Sequence, residues 1–151
     1  MIGFLESLLW LTLNIYHEAR GEPEIGQLAV AHVTLNRATE EHKSVADVVK
    51  APYQFSWTFQ KKPYAPMEIN PLQESLSVAI KAMITPDFTG GSTFYHHEDV
   101  DPKWVAGKHF IAKYGSQKFY RQHYANNAVF IIQPLLIRTN SNFFLPTKSR
   151  S

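Results

Sequence analysis

The sequence predicts a mainly helical α+β domain that closes with a short β-hairpin, and three observations carry that expectation. Apolar residues recur at helical spacing at Leu5, Leu8, Leu9, Leu13 and Tyr16, and again at Leu72, Leu76, Ile80 and Met83. The Gly-Gly pair of "TPDFTGGSTFYHH" marks a turn that leads into a β-prone run. "HFIAKYGSQKFYR" then places two aromatic-rich, strand-like pieces around Gly115. A chain of 151 residues, 44% of them hydrophobic, can bury a real core and favours a single folded unit. We expect that unit over residues 1–125, with 126–151 as a C-terminal tail of unknown role.

In chain order, the first stripe predicts a helix that buries this face and finishes between Glu18 and Gly21, with Glu18 in its last turn. Pro23 suits the start of a second helix, where Leu28, Ala31, Val33 and Leu35 make a small-residue-rich surface that neighbours can approach closely. Ser44 and Asp47 stand at capping-box spacing before "VADVV", which predicts a brief third helix. "APYQFSWTFQKKPYAP" holds three prolines and five aromatics in sixteen residues, a mix that resists regular structure and keeps flat rings available to line a site. Asn70 and Pro71, with Gln73 following, predict a capped helix start whose stripe runs to Met83 before Pro86. "DPKW" predicts a further helical turn, with Asp101 as cap and Pro102 at its first position.

Composition excludes several chemistries. The absence of cysteine removes disulfides, thiolate nucleophiles and cysteine-ligated zinc. Fifteen basic against thirteen acidic residues leave a formal charge of +2, which suits an acidic polymer but lacks the clustered cations that nucleic acid requires. The apolar "MIGFLESLLWLTLNIY" has no basic flank and no small-residue cleavage site, carries Glu6, and falls short of the roughly 20 residues of a spanning helix. Neither a signal peptide nor stable membrane insertion is expected. "AVFIIQPLLI", interrupted by Gln133 and Pro134, reads as a strand pair or docking tail.

Charge collects where the first helix ends, in "IYHEARGEPEIG". Glu18 follows an apolar helix directly, and partial burial there disfavours the carboxylate and keeps the group protonated for use as an acid, while Arg20 and His17 act in the opposite direction. Metal ligation competes, since "HE" opens a zinc signature and "YHHED" groups two histidines with two carboxylates. The signature fails at Gly21, where its second histidine should stand, and His96 and His97 in a strand point to opposite faces. No metal and no cofactor is expected. Tyr53, Phe55, Trp57, Tyr95 and Trp104 lie beside Gln54, Ser56, Thr93 and His96, an interleaving that suits stacking on sugar faces but is equally met in core packing. Phe55 and Phe94 are assigned to the core. Trp57 is assigned to the groove, because Gln54 and Ser56 beside it are awkward to bury.

"NIYHEARGEPEIGQLAVAHVTLNR", "QFSW", "DFTGGSTFYHHEDVDPKW", "GKHFI" and "FYR" together resemble the SleB-type cell-wall hydrolase family, known from spore-cortex-lytic enzymes and phage endolysins. The resemblance covers about residues 8–121. It implies a compact lysozyme-like fold, related to resuscitation-promoting factors, that acts on the glycan strands of peptidoglycan without cofactor. Carried over, the first glutamate of E-A-R-G-E, Glu18, is the catalytic acid, and Glu22 is an orienting or second catalytic carboxylate. Gln54, Thr93 and Tyr95 fall in the other motifs and are expected in the cleft, with Ser56, Trp57, His96 and Trp104 completing the substrate-binding set. The implied reaction is that of a lytic transglycosylase, which leaves 1,6-anhydro-muramic ends. Hydrolysis by Glu18 with Glu22, a non-catalytic peptidoglycan-binding module, and a zinc peptidase or amidase stay open as alternatives. A monomeric phage endolysin is expected, made in the host cytoplasm and released to the wall through a lesion made by another protein.

Overall fold

Helix α2 (Glu24–Glu40) is the element about which the others are arranged, in a computed structural model that describes residues 2–60 and 65–123. Its residues from Gly26 to Thr34 are buried without a break, because α2 is covered on both sides. On one side lie α1 (Ile2–Ala19), α3 (Val45–Lys50) and α4 (Ile69–Ile84). Leu11, Ile15, Leu28, Ala31, Val48, Val49, Val78, Ala79 and Ala82 form the core there. On the other side Ala29, Val30 and Val33 pack against Phe119 of a small sheet. The alanines of "LAVAHV" let α2 serve both layers, since a helix approaches its neighbours closely only where its side chains are short.

The sheet has three antiparallel strands, β1 (Phe94–His97), β2 (Lys108–Tyr114) and β3 (Gln117–Gln122), in the order β1-β3-β2. The predicted hairpin is β2–β3, and the β-prone run after the Gly-Gly turn extends it by a third strand on the free edge of β3. Gly115 turns the hairpin in the left-handed region, at φ 60°, and a Cβ there would run into Pro23 and the Glu22 carboxylate. The hairpin is thereby seated on the corner between α1 and α2. Ser44 caps α3 as its spacing predicts, accepting from the Asp47 amide at 3.0 Å.

Two stripes are corrected by roughly a quarter turn about the helix axis. Leu8, Leu13 and Tyr16 of the expected stripe pack inward, but Leu5 and Leu9 are 57% and 56% exposed, and Leu11, Thr12, Asn14, Ile15 and Ala19 complete the buried face. In α4, Leu76 and Ile80 are exposed and Ser75, Val78, Ala79 and Ala82 are buried. Where the helices come close, small and polar residues such as Ser75, Ala79 and Asn14 share the contact with Leu11 and Ile15. Helix α4 also starts earlier than expected: Glu68 stands at its N-cap, ahead of Asn70. The "DPKW" turn is a 3-10 helix, Lys103–Val105, with Pro102 rather than Asp101 at the cap position. The "AVFIIQPLLI" segment and the boundary expected at residue 125 lie outside the described residues.

Candidate active site

Glu18 belongs to the last turn of α1, where the helix has left the core and reaches an open cavity of about 440 Å³. Arg37, from the last turn of α2, and Tyr95, from β1, form the wall beside it. The opposite wall is the aromatic loop between α3 and α4, with Tyr53, Gln54, Phe55, Ser56 and Phe59. Tyr53 is 93% and Phe59 51% exposed, and their rings lie 5.5 Å apart, so the rim presents apolar faces to solvent beside the Gln54 and Ser56 polar groups. Such a rim matches the alternating apolar and hydroxylated surface of a sugar ring.

The Tyr95 hydroxyl donates to Glu18 Oε2 at 2.9 Å, which fixes the rotamer of the acid and leaves Oε1 for a substrate. Burial raises the Glu18 pKa above the ordinary glutamate value, and the Tyr95 hydrogen bond and the Arg37 charge oppose that rise without cancelling it. Tyr95 is pushed well above the usual phenol range by burial and by the neighbouring carboxylate, so it stays a donor. The cation acting on Glu18 is Arg37, in place of the Arg20 expected from adjacency. Arg20 turns away, donating to the Tyr16 hydroxyl at 2.7 Å and pairing with Glu68 at 3.0 Å. His17 stacks on Trp57, with ring centroids 4.5 Å apart.

The structure divides the expected site residues. Glu18, Gln54, Ser56 and Tyr95 meet at the cavity. Trp57 does not: it is only 6% exposed, and its indole N–H donates to Asn14 Oδ1 at 2.9 Å. Asn14 in turn donates to Thr34 Oγ1, so the tryptophan is the apolar lid of a satisfied polar network in the helical core. Thr93 is buried behind the wall, and its carbonyl accepts from Arg37 Nε at 2.7 Å. His96 and Trp104 are on the other face of the sheet, where His96 stacks on Tyr120 and Trp104 packs edge-on to both, because neighbours of Tyr95 along a strand alternate in direction. Glu22 is absent from the cavity wall. Its two oxygens accept from the Ser116 amide, at 2.9 Å, and the Ser116 hydroxyl, which holds the hairpin turn. Arg37 and Phe59 are not among the expected site residues, while Tyr53, read as suited to sugar stacking, does line the cavity. Arg37 ends the "VTLNR" stretch, and the two rings belong to the aromatic loop already read as lining something. Among the described residues no cluster of three or more His, Asp or Glu could hold a metal ion.

Residues 21–120 match the family model described as Cell Wall Hydrolase. The chain belongs to the cell wall hydrolase family. Glu18 stands three residues before the matched span and is joined to it by the Tyr95 hydrogen bond. This cell wall hydrolase is 31% identical over 121 residues to a spore cortex-lytic enzyme of Bacillus cereus, covering 78% of the chain and 45% of that enzyme. A spore cortex-lytic enzyme of Halalkalibacterium halodurans is 31% identical over 108 residues, 70% of the chain and 32% of the enzyme. The chain thus spans less than half the length of these relatives. The crystal structure of the catalytic domain of the Bacillus cereus SleB protein superposes with a TM-score of 0.66 at 28% identity, covering 78% of this chain and 91% of that domain. The catalytic domain of the germination-specific lytic transglycosylase SleB from Bacillus anthracis gives 0.62 at 27% identity, over 77% and 94%. The lysozyme-like, mainly helical expectation is met by the SleB catalytic domain fold.

Proposed function

We propose that this cell wall hydrolase cuts peptidoglycan between N-acetylmuramic acid and N-acetylglucosamine as a lytic transglycosylase, with Glu18 as both acid and base. The observation that carries the reading is that Glu18 is the one carboxylate among the described residues lining the cavity. Glycoside hydrolysis ordinarily uses two carboxyl groups at a set separation, one of them to activate water or attack C1. Glu22, the candidate for the second, has both oxygens committed to Ser116. A reaction that needs a single carboxyl group fits this wall better.

In that reaction the protonated Glu18 gives its proton from Oε1 to the glycosidic oxygen as the bond from that oxygen to C1 of the muramic acid breaks. The 6-hydroxyl of the same sugar closes on C1, and its proton passes to the Glu18 carboxylate. The 1,6-anhydro ring forms without water, and the acid is restored. Burial favours the protonated start, and the Arg37 charge with the Tyr95 hydroxyl stabilises the transient carboxylate. Tyr53 and Phe59 supply stacking faces, and Gln54 and Ser56 hydrogen-bonding groups, for the flanking sugars. The relatives' names support the substrate: spore cortex-lytic enzymes and a lytic transglycosylase.

Digesting purified sacculi and weighing the fragments tests this. Muropeptides one water lighter than the reducing products are expected. Reducing ends would transfer the mechanism to a muramidase, freed stem peptides to an amidase or peptidase, and intact sacculi to a binding module. As its setting we propose lysis of a bacterial host by a phage, the protein acting as a monomer after reaching the wall from the host cytoplasm. Lysis on co-expression with a membrane-perforating protein, and none without it, is the expected result.

A further inference from the structure

We propose that Arg37 is a carboxylate receptor in the cavity wall, which selects glycan whose muramic acid unit carries a free carboxylate beside the bond to be cut. This rests on the reading of the cavity as a muramyl-glycan site and adds the substrate feature recognised there.

The guanidinium is built for a ligand it does not have within the protein. Its plane is held from two directions, by the Nε bond to the Thr93 carbonyl at 2.7 Å and by the Phe55 ring, whose centroid lies 5.3 Å from Cζ. Nη1 is buried without a hydrogen-bond partner. Among the described residues Arg37 forms no ion pair, although it lines the cavity. A half-hidden cation with most of its donors unspent is costly, and natural proteins rarely leave one unless something else completes it. Glu41 also acts on Arg37 but is not part of the cavity wall; among the described residues Glu18 is the only carboxylate lining the cavity, and in its working form Glu18 is neutral. A guanidinium forms strong charge-assisted N–H bonds with a carboxylate.

Peptidoglycan offers such an anion and a plain N-acetylglucosamine polymer does not. The carboxylate is that of the lactyl group when the muramic acid is bare, or belongs to a stem peptide when one is attached. Its arrival beside Arg37 also offsets the pull of the guanidinium on Glu18, so that substrate itself favours the proton-bearing form of the acid.

Calorimetric titration of the full chain carrying Glu18→Gln, which stops turnover, decides the matter. The probes are alternating N-acetylglucosamine–N-acetylmuramic acid tetrasaccharides with lactyl groups as free acids, as neutral methylamides, or extended by a short acidic peptide. An acidic form should bind about tenfold or more tightly than the methylamide, the effect of one charge-assisted bond. Which acidic form does so identifies the source of the carboxylate. Adding Arg37→Gln should erase the preference. Equal binding of acidic and neutral glycans, or a preference that survives Arg37→Gln, overturns the proposal and leaves the glycan-cutting reading standing. No binding of any glycan removes both. If Arg37→Gln does not fold, nitrogen-resolved NMR of the Glu18→Gln protein replaces it. The Arg37 side-chain resonance should move with the acid and stay put with the methylamide, and an unmoved resonance with both overturns the proposal.

Discussion

Glu18 and Glu22 stand four residues apart, on either side of the α1–α2 corner, and the fold uses them in opposite ways. Glu22 has both oxygens spent on Ser116, so it locks the β2–β3 turn to the helices. Glu18 has one oxygen held by Tyr95 and the other beside an open cavity. A carboxylate with both oxygens engaged by the fold is structure; one with an oxygen left over a cavity is available for chemistry. Residue type and spacing are shared, and the partner that arrives from a distant strand decides between the two uses.

The sharpest way to break this comparison is to make the same isosteric change at both sites. Glu18→Gln removes the transferable proton and should lower turnover by roughly 10²-fold or more while the protein stays folded. Wild-type clearing of cell walls by that variant would remove Glu18 from the chemistry. Trp57 extends the comparison, since it is a sequence neighbour of cavity residues yet is consumed by Asn14. Trp57→Ala should cost about 3 to 5 kcal/mol in denaturant unfolding, with glycan binding unchanged in the protein that remains folded. A stable variant with weakened glycan binding would return Trp57 to the groove.

Glu22→Gln should reduce stability by about 1 kcal/mol, the difference between a charge-assisted and a neutral hydrogen bond, and leave turnover of the folded protein at the wild-type level. A loss of turnover as large as that of Glu18→Gln would restore a two-carboxylate mechanism. The smallest effect is on pH dependence. Burial raises the Glu18 pKa in the folded state, so the native protein holds that proton more tightly than the unfolded chain does. The stability this contributes is complete below the ordinary glutamate range and is lost as pH rises through the raised value. Glu18→Gln escapes that loss, so it should melt above the wild type at about pH 8, with the gap closing towards about pH 4. Wild-type turnover should fall over the same rise in pH. A gap that is constant or widens in acid would mean that burial is not the dominant influence on Glu18.

What could be read from the sequence was the local part of the design. The position of Glu18 at a helix end, the cap at Ser44 and the hairpin around Gly115 each follow from a few adjacent residues, whereas the aromatic segment expected to resist regular structure holds a 3-10 helix, Ser56–Phe59. The rotational setting of α1 and α4 was not legible, because a hydrophobic stripe counts leucines while the buried surfaces contain Thr12, Asn14 and Ser75 with short apolar neighbours. The fate of Trp57 depended on Asn14, 43 positions away, and so could not be read from Gln54 and Ser56 beside it. His96 and Trp104 share motifs with Tyr95, but strand alternation carries His96 to the outer face of the sheet and Trp104, from the 3-10 turn after β1, packs on it there. Arg37 is not legible as a site residue because Glu40 and Glu41, three and four positions on, make it look like an ordinary helix-surface charge; its importance comes from the cavity it borders.

The Tyr95–Glu18 hydrogen bond joins residues 77 positions apart, so the setting of Glu18 reports on the completion of the fold. A growing chain that has emerged only through α3 already has the helix bearing Glu18, yet lacks the tyrosine that sets the acid's rotamer and the hairpin that seats on the corner beside it. Loop closure over such a distance comes late, after the local helices have formed. On the reading proposed above, the acid's geometry is complete only once the sheet has docked on α2.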